Sequence, residues 1–214
     1  MKTVIYHANA SLANKFEPGT YERLIDGLRK NVNAQGMPLV HLTIEGQPGL
    51  GDENYYYQGD PELIVWNRER FFLEFLRQAP DDIYWFAEPD YRIESRIPPL
   101  FTDLALLRRD DKVAITPSWR MASKSAIPFF EEALSYYPAD SRLRAWDGDS
   151  DAYVKMWQVM GQPGLGTLTH NDVIIDLRSY PDYCSKRGKY TSQWKAFNKD
   201  QLLAKEHGVT NGSR

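Results

Sequence analysis

Glu88 and Asp90 stand two residues apart at the end of an apolar and aromatic run, residues 83–87. A continuous run of this kind after an acidic turn is typical of a central strand that is buried on both faces. Ligands of open α/β sheets bind beyond the carboxyl ends of the strands, so we expect both carboxylates at the ligand-binding edge. Alternation along an extended segment lets both face one cation, and two carboxylates are a common protein contribution to a Mg²⁺ or Mn²⁺ site. The simpler alternative is a pair of acids that ends the strand and faces water.

A second group of acids, Asp147, Asp149 and Asp151, alternates along the chain directly before a predicted helix. Acids are favoured at helix N-termini, so capping alone accounts for at least one of the three. The spacing also fits the first half of an EF-hand calcium loop. That interpretation is excluded because Ala152 stands at the sixth position, where the loop needs glycine, and Gln158 at the twelfth, where it needs glutamate.

The elements that would position these acids follow from hydrophobic periodicity and turn residues. Strand, helix and strand within the first forty-four residues predict a βαβ unit with a right-handed crossover. A long loop, 45–60, and a basic helix then precede the run at 83–87. The predicted strands are 3–7, 38–44, 83–87, 112–116 and 173–177, and the predicted helices are 18–36, 61–78, 104–109, 128–137 and 152–160.

Composition sets limits on the class of protein. The 214 residues are 42% apolar and 26% charged, which is ordinary for one globular domain. A net charge of -3 gives no overall attraction to nucleic acid or anionic membranes. Cys184 is the single cysteine, which excludes a disulfide framework and a multi-cysteine zinc site. With no signal-peptide pattern and no apolar run long enough to span a membrane, we expect a cytoplasmic protein.

The order of elements, the basic helix and the acid pair together resemble a glycosyltransferase of the GT-A type, which has the nucleotide-diphospho-sugar transferase fold. The resemblance covers roughly residues 1–180 and implies an α/β fold, a single domain with a mostly parallel central sheet flanked by helices. We place this domain at 1–183 and a basic, aromatic C-terminal segment at 184–214. In this family a strand carrying an Asp-x-Asp signature ends at the metal, and the matching triplet here begins with Glu88 instead of Asp.

The resemblance also implies which residues bind the donor, a nucleotide-diphospho-sugar. Arg68 and Arg70, on the helix before the acidic triplet, match a basic position near the donor nucleotide or its phosphates. His7 ends the first predicted strand, beside the loop that holds the nucleotide base in this family. Glu45, which begins the loop after the second predicted strand, is a further candidate for donor binding.

For the chemistry, the resemblance implies a divalent cation, Mn²⁺ or Mg²⁺, at Glu88 and Asp90, with His170 as a third ligand. The acids before the 152–160 helix match the location of the base in inverting members of the family. We assign that role to Asp149, and Asp151 is the other candidate although it is better suited to capping the helix. A loop histidine facing solvent is the simpler interpretation of His170.

The resulting hypothesis is a metal-dependent glycosyltransferase that moves a sugar from a nucleotide-diphosphate donor to a hydroxyl acceptor. The acceptor stays open between a glycan, a small molecule and a modified nucleic-acid base, and the oligomeric state also stays open. The alternative is a non-catalytic binding or adaptor module with the same fold. A nucleotidyltransferase is disfavoured because its Gly-rich basic loop is missing: residues 7–16 contain no glycine and one lysine.

Overall fold

The computed structural model describes residues 1–6, 19–110, 114–140, 148–184 and 188–193. The strands are β1 Lys2–Tyr6, β2 Leu39–Ile44, β3 Glu53–Tyr57, β4 Tyr84–Ala87, β5 Tyr91–Ile93, β6 Leu104–Arg108, β7 Ile115–Ala122, β8 Gly166–His170, β9 Val173–Ser179 and β10 Thr191–Gln193. The helices are α1 Thr20–Asn33, α2 Ile64–Gln78, α3 Ile127–Ser135, α4 Gly148–Val159 and α5 Tyr180–Cys184, with a 3₁₀ turn at Lys124–Ala126. No helix within these ranges is long and apolar enough to cross a membrane.

Eight of the described strands form one sheet in the order β3-β2-β1-β4-β7-β6-β9-β8. The strands β3, β2, β1 and β4 are parallel, β7 is antiparallel to both of its neighbours, and β6 pairs in parallel with β9. The predicted α/β class with a mostly parallel sheet is therefore confirmed. Because the chain moves outward from β1 through β2 to β3 and then returns to place β4 on the other side of β1, the strand order reverses between β1 and β4. Open α/β sheets bind ligands at such a point, beyond the carboxyl ends of the strands.

Helices cover both faces of the sheet, and this explains why the central strand β4 is apolar throughout. In β4, Tyr84 and Phe86 face the layer formed by α2, α3 and α4, whereas Trp85 and Ala87 face the layer that contains α1, β5 and α5. All four side chains are fully buried. Alternation puts neighbouring residues on opposite faces, so a strand between two covered faces buries its side chains at every position and favours apolar residues.

The predicted loop 45–60 contains a strand, β3, which the sequence interpretation did not include. This edge strand pairs in parallel with β2, and its burial alternates along Glu53–Tyr57. The chain returns close against β2 at Gly51, where a Cβ atom would lie 2.8 Å from the backbone nitrogen of His41 and 2.8 Å from the carbonyl oxygen of Leu39. Only glycine permits that approach without a backbone shift.

The predicted helix 104–109 is wrong, because this segment forms the strand β6. Leu104 and Leu106 pack on one face of the sheet, and Ala105 and Leu107 pack on the other. Periodicity cannot separate a short apolar run of this kind from a buried helical segment. Pairing with β7 on one side and β9 on the other decides the conformation here.

Residues 188–193, which lie in the predicted C-terminal segment, pack against the preceding domain. Their strand β10 pairs antiparallel with β5, with Thr191 opposite Ile93 and Gln193 opposite Tyr91. The backbone amide of Tyr190 also donates a hydrogen bond to the carbonyl oxygen of Asp182. The described part of the C-terminal segment therefore completes the layer that contains α1 and α5, and it approaches the carboxyl edge of β4.

Candidate functional site

Arg68 links two acidic residues that come from different elements. Its Nη1 atom lies 2.8 Å from Oε1 of Glu88, which directly follows β4, and its Nη2 atom forms an ion pair with Oδ2 of Asp149 in the first turn of α4. The Arg68 side chain is 8% exposed, whereas Glu88 is 30% and Asp149 13% exposed. Three predicted site residues thus meet at the carboxyl edge of the sheet.

Helical spacing explains why Arg68 reaches this edge. Arg68 lies three residues before Phe71 and seven before Phe75, so it continues the buried stripe of α2 toward the helix N-terminus. Phe71 and Phe75 pack in the same layer as Phe86 of β4. With the helix fixed in this way, the guanidinium group comes level with the residue that follows β4.

Three nearby carboxylates favour the charged form of Arg68. Burial lowers the pKa of Arg68, but the carboxylates of Asp149, Glu88 and Glu69 raise it by more, so the net pKa lies above the usual arginine value. The guanidinium therefore stays charged at any pH at which the protein is folded. Charge-assisted pairs of this kind orient both partners as well as attracting them.

Gln193 of β10 holds the other oxygen of Glu88, and the sequence interpretation did not include it. Its Nε2 atom donates a 2.8 Å hydrogen bond to Oε2 of Glu88. The side chain is 5% exposed, and within the described ranges its Oε1 atom accepts no hydrogen bond. A reversed amide would place Oε1 against the carboxylate, so the orientation follows from the contact. No local pattern marks Gln193, because the contact joins residues 105 positions apart.

A fully buried ion pair lies below the site. Arg120 of β7 donates a 2.6 Å hydrogen bond to Oε1 of Glu69, and the hydroxyl group of Tyr153 donates to Oε2 of Glu69 at 3.1 Å. The Arg120 guanidinium also lies 4.2 Å from the ring centre of Phe86. Since Nε of Arg68 is 4.0 Å from Oε1 of Glu69, the buried pair is in contact with the site. It ties together α2, α4 and β7, the elements that surround Arg68.

Arg70 and Glu45 belong to a different group of contacts. Arg70 lies on the less buried side of α2, 3.6 Å from Glu74, and it donates a hydrogen bond to the carbonyl oxygen of Gln58. The amide side chain of Gln58 in turn donates to Glu45. Arg70 and Glu45 are therefore connected through Gln58 beyond β2 and β3, whereas Arg68 contacts Glu88.

The structure does not bring His170 to the acids. The register places Phe86, Arg120, Leu106, Leu177 and Gly166 in one row across the sheet. From this row Glu88 lies two residues toward the carboxyl edge of β4, and His170 lies four residues in the opposite direction at the far end of β8. Strand geometry then separates them by on the order of 25 Å. His170 instead contacts Glu132 at 2.7 Å. The antiparallel direction of β8 is the physical reason.

Asp151 is exposed in the first turn of α4, a position where the helix dipole favours an acid. His7 lies outside the described residues.

Comparisons with known proteins give the fold. No protein-family model matches the sequence, and no curated protein matches it. Among solved structures, a glycosyltransferase involved in the glycosylation of the major capsid of PBCV-1 aligns with a TM-score of 0.56 at 10% identity, over 94% of this chain and 98% of the other. A putative glucose-1-phosphate thymidylyltransferase from Bacillus anthracis aligns with a TM-score of 0.53 at 10% identity, over 100% of this chain and 98% of the other.

A third solved structure, the inositol-1-phosphate CTP transferase from T. maritima, aligns with a TM-score of 0.51 at 8% identity, over 100% of this chain and 97% of the other. The chain has the nucleotide-diphospho-sugar transferase fold. The fold that the sequence resemblance implied is thereby confirmed. Identities this low carry the fold alone, so the site has to be judged on its own residues.

The nucleotide-diphospho-sugar transferase fold raises the question of whether this chain's residues fit a divalent cation. Both carboxylate oxygens of Glu88 are engaged, one by Arg68 and the other by Gln193. Asp90 is 5% exposed. Within the part of the chain that the structure describes, no three His, Cys, Asp or Glu side chains are grouped so that they could hold a metal ion. As Arg68 and Gln193 hold it, the Glu88 carboxylate does not fit a preformed Mn²⁺ or Mg²⁺ site.

Proposed function

We propose that this protein is a glycosyltransferase that moves a sugar from a nucleotide-diphosphate donor to a hydroxyl group. The observation that carries the proposal is the meeting of Arg68, Glu88 and Asp149 beyond β4, next to the point where the strand order reverses. At this position the cation can face the leaving diphosphate, and a carboxylate can accept the proton of the acceptor hydroxyl; sugar transfer needs both roles. A solved structure of the same fold is also a glycosyltransferase by its description.

Arg68 is proposed to face the diphosphate. Transfer breaks the bond between the anomeric carbon and the diphosphate oxygen, and the leaving nucleoside diphosphate takes the electron pair. Negative charge therefore grows on its oxygens, and a fixed guanidinium in a largely buried site stabilises that charge better than water does. Its planar arrangement of donors also matches phosphate oxygens. The bound nucleotide would replace part of the carboxylate contacts that Arg68 makes.

Asp149 is proposed to act as the base. As the acceptor oxygen bonds to the anomeric carbon, its proton passes to the Asp149 carboxylate, which balances the reaction. Proton transfer to a positioned carboxylate is worth roughly 10²–10⁴-fold in rate. The Asp149 side chain, 13% exposed, is open enough to reach an acceptor once a diphosphate engages Arg68. Any hydroxyl of a glycan, a small molecule or a modified base meets this chemical requirement.

The test combines binding and turnover. Purified protein is screened by thermal shift and calorimetry against UDP-, GDP- and CDP-sugars, and release of nucleoside diphosphate is followed with a panel of free sugars and simple alcohols. A ligand at one hundred times its Kd stabilises the folded state by roughly 2.7 kcal/mol. Asp149→Asn should keep binding and lose turnover. Arg77→Gln is the matched control, because Arg77 lies on the same helix but is half exposed and pairs with Glu131.

Each result decides between functions. Binding of one nucleotide sugar with turnover that Asp149→Asn abolishes supports the proposal. Binding without turnover on any acceptor would favour the non-catalytic binding module. Two structures of this fold are by description a thymidylyltransferase and a CTP transferase, so nucleoside triphosphates with sugar phosphates are included. Release of pyrophosphate from that mixture would refute sugar transfer in favour of nucleotidyl transfer.

A further inference from the structure

Arg68 occupies the place between two acidic residues where a bound cation would otherwise be expected. One guanidinium nitrogen contacts Glu88 and the other contacts Asp149, so a single charge joins the end of β4 to the start of α4. We infer that Arg68 is the built-in cation of this site, and that the site binds its diphosphate ligand without a divalent metal ion. This inference rests on the proposed function, because it concerns how the same site handles the donor.

Geometry leaves little room for a metal ion beside Arg68. A Mg²⁺ ion would stand about 2.1 Å from a carboxylate oxygen of Glu88. Nη1 of Arg68 is 2.8 Å from Oε1 of the same carboxylate. An ion bound to that oxygen would therefore lie within about 5 Å of the guanidinium, and like charges at this distance repel strongly in a partly buried site. The other oxygen, Oε2, already accepts a hydrogen bond from Gln193.

Arg68 is also held from behind, so it does not simply swing away. Its side chain is 8% exposed, and its Nε atom lies 4.0 Å from Oε1 of Glu69. Glu69 is fixed in turn by the buried Arg120. An arginine on an exposed stem loses considerable side-chain freedom when it pairs, whereas one already confined by packing loses less. The positive charge is therefore present and oriented before any ligand arrives.

This arrangement predicts what removal of the charge would create. Arg68→Gln leaves the carboxylates of Glu88 and Asp149 facing each other across the space that the guanidinium filled. Carboxylates joined through one guanidinium group are close enough for a single hydrated divalent cation to bridge them, and Mg²⁺ in particular keeps several of its waters when it binds. The substitution should thus convert a site with a built-in cation into one that recruits a metal ion.

The experiment measures Mn²⁺ binding directly, without any nucleotide, from the electron paramagnetic resonance signal of free Mn²⁺ and by calorimetry. Wild type should bind Mn²⁺ weakly, and the Mn²⁺ affinity of Arg68→Gln should be higher than that of wild type by about tenfold or more. The double variant Arg68→Gln/Glu88→Gln should lose that gain. Arg77→Gln, which removes a half-exposed arginine from the same helix, should behave as wild type.

If Arg68→Gln does not fold, a second Mn²⁺ titration that does not need this variant tests the same point. Wild type and Glu88→Gln are compared for Mn²⁺ binding, and equal, weak binding is expected. The inference would be overturned if wild type bound Mn²⁺ stoichiometrically and Glu88→Gln removed that binding. It would also be overturned if Arg68→Gln folded and bound Mn²⁺ with the same affinity as wild type. Nucleotide-sugar binding that requires Mn²⁺ and is lost in EDTA would also overturn it, while leaving the proposed glycosyl transfer intact. Because the Mn²⁺ titration needs no nucleotide, its result stands whether or not the donor screen succeeds.

Discussion

Removing the two charges of the buried Glu69–Arg120 pair one at a time should have unequal effects on stability. Arg120→Met leaves the Glu69 carboxylate fully buried, with the Tyr153 hydroxyl at 3.1 Å still donating to it. Breaking a buried pair by removing one partner costs about 3–5 kcal/mol. For a chain of this size each kcal/mol lowers the melting temperature by about 2–4 °C, so a decrease of about 12 °C is expected.

Glu69→Gln should cost less, because Arg120 retains other contacts. Its Nη1 atom still donates to the carbonyl oxygen of Pro117 at 2.9 Å, and its guanidinium lies 4.2 Å from the ring centre of Phe86. A glutamine oxygen can also accept the hydrogen bond that the carboxylate accepted. A buried charge is again left without its partner, so the expected loss is about 3 kcal/mol, at the low end of the range for breaking a buried pair.

The double variant Glu69→Gln/Arg120→Met tests the coupling itself. It contains neither buried charge, so its loss of stability should be smaller than the sum of the single losses by about 1–3 kcal/mol. Urea denaturation followed by circular dichroism gives all three values, with Arg77→Gln as the exposed-arginine control that should change stability by less than about 0.5 kcal/mol. Additive losses in the double variant, or an Arg120→Met effect no larger than the control, would refute the reasoning.

Two further outcomes follow from single contacts. Gln193→Met removes the donor to Glu88 while keeping side-chain volume, and it should lower the unfolding free energy by about 1 kcal/mol. Gln193→Glu places a second carboxylate beside Glu88 and should lower stability more at neutral pH than in acid. Equal urea midpoints for wild type, Gln193→Met and Gln193→Glu would contradict this expectation. Burial raises the pKa of Tyr6 from 10.0 to about 12. Because the pKa of Tyr6 is higher in the folded state than in the unfolded chain, the contribution of the protonated Tyr6 hydroxyl to stability is complete below pH 10. This contribution is lost as the pH rises toward 12. Urea midpoints across this range should therefore fall more steeply for wild type than for Tyr6→Phe, and parallel curves would argue against a protected Tyr6.

The position of the acid pair could be predicted from the sequence because one local pattern determines both strand and edge. The apolar run 83–87 needs two covered faces, and a strand of that kind in an α/β sheet ends at the ligand-binding edge. A local pattern also distinguishes Arg68 from Arg70 as the arginine that faces the site. Arg68 shares the stripe of Phe71 and Phe75 on α2, whereas Arg70 lies off that stripe. Helical spacing thus carried enough information to choose between the two arginines.

The remaining features depend on contacts that local patterns do not encode. The segment 104–108 is apolar throughout, and only its pairing with β7 and β9 makes it a strand instead of a helix. His170 precedes the strand β9 in sequence, but the antiparallel direction of β8 carries it to the edge opposite Glu88. Gln193 reaches Glu88 through the pairing of β10 with β5. Each case turns on strand direction or long-range pairing, which a single sequence does not specify.

One turn of α2 links the site to the core, so substitutions in the core pair also affect the site. The adjacent residues Arg68 and Glu69 make ion pairs in two directions, the first with Glu88 and Asp149 at the edge of the sheet and the second with Arg120 inside it. A rotation of α2 that improved one set of contacts would break the other, because neighbouring residues of a helix are separated by a fixed angle. The register of α2 is therefore specified by both sets together. It follows that substitutions of Glu69 or Arg120 should weaken ligand binding through the position of Arg68 as well as lowering stability, whereas substitutions of Gln193, which acts on Glu88 from β10, should affect the site without disturbing α2.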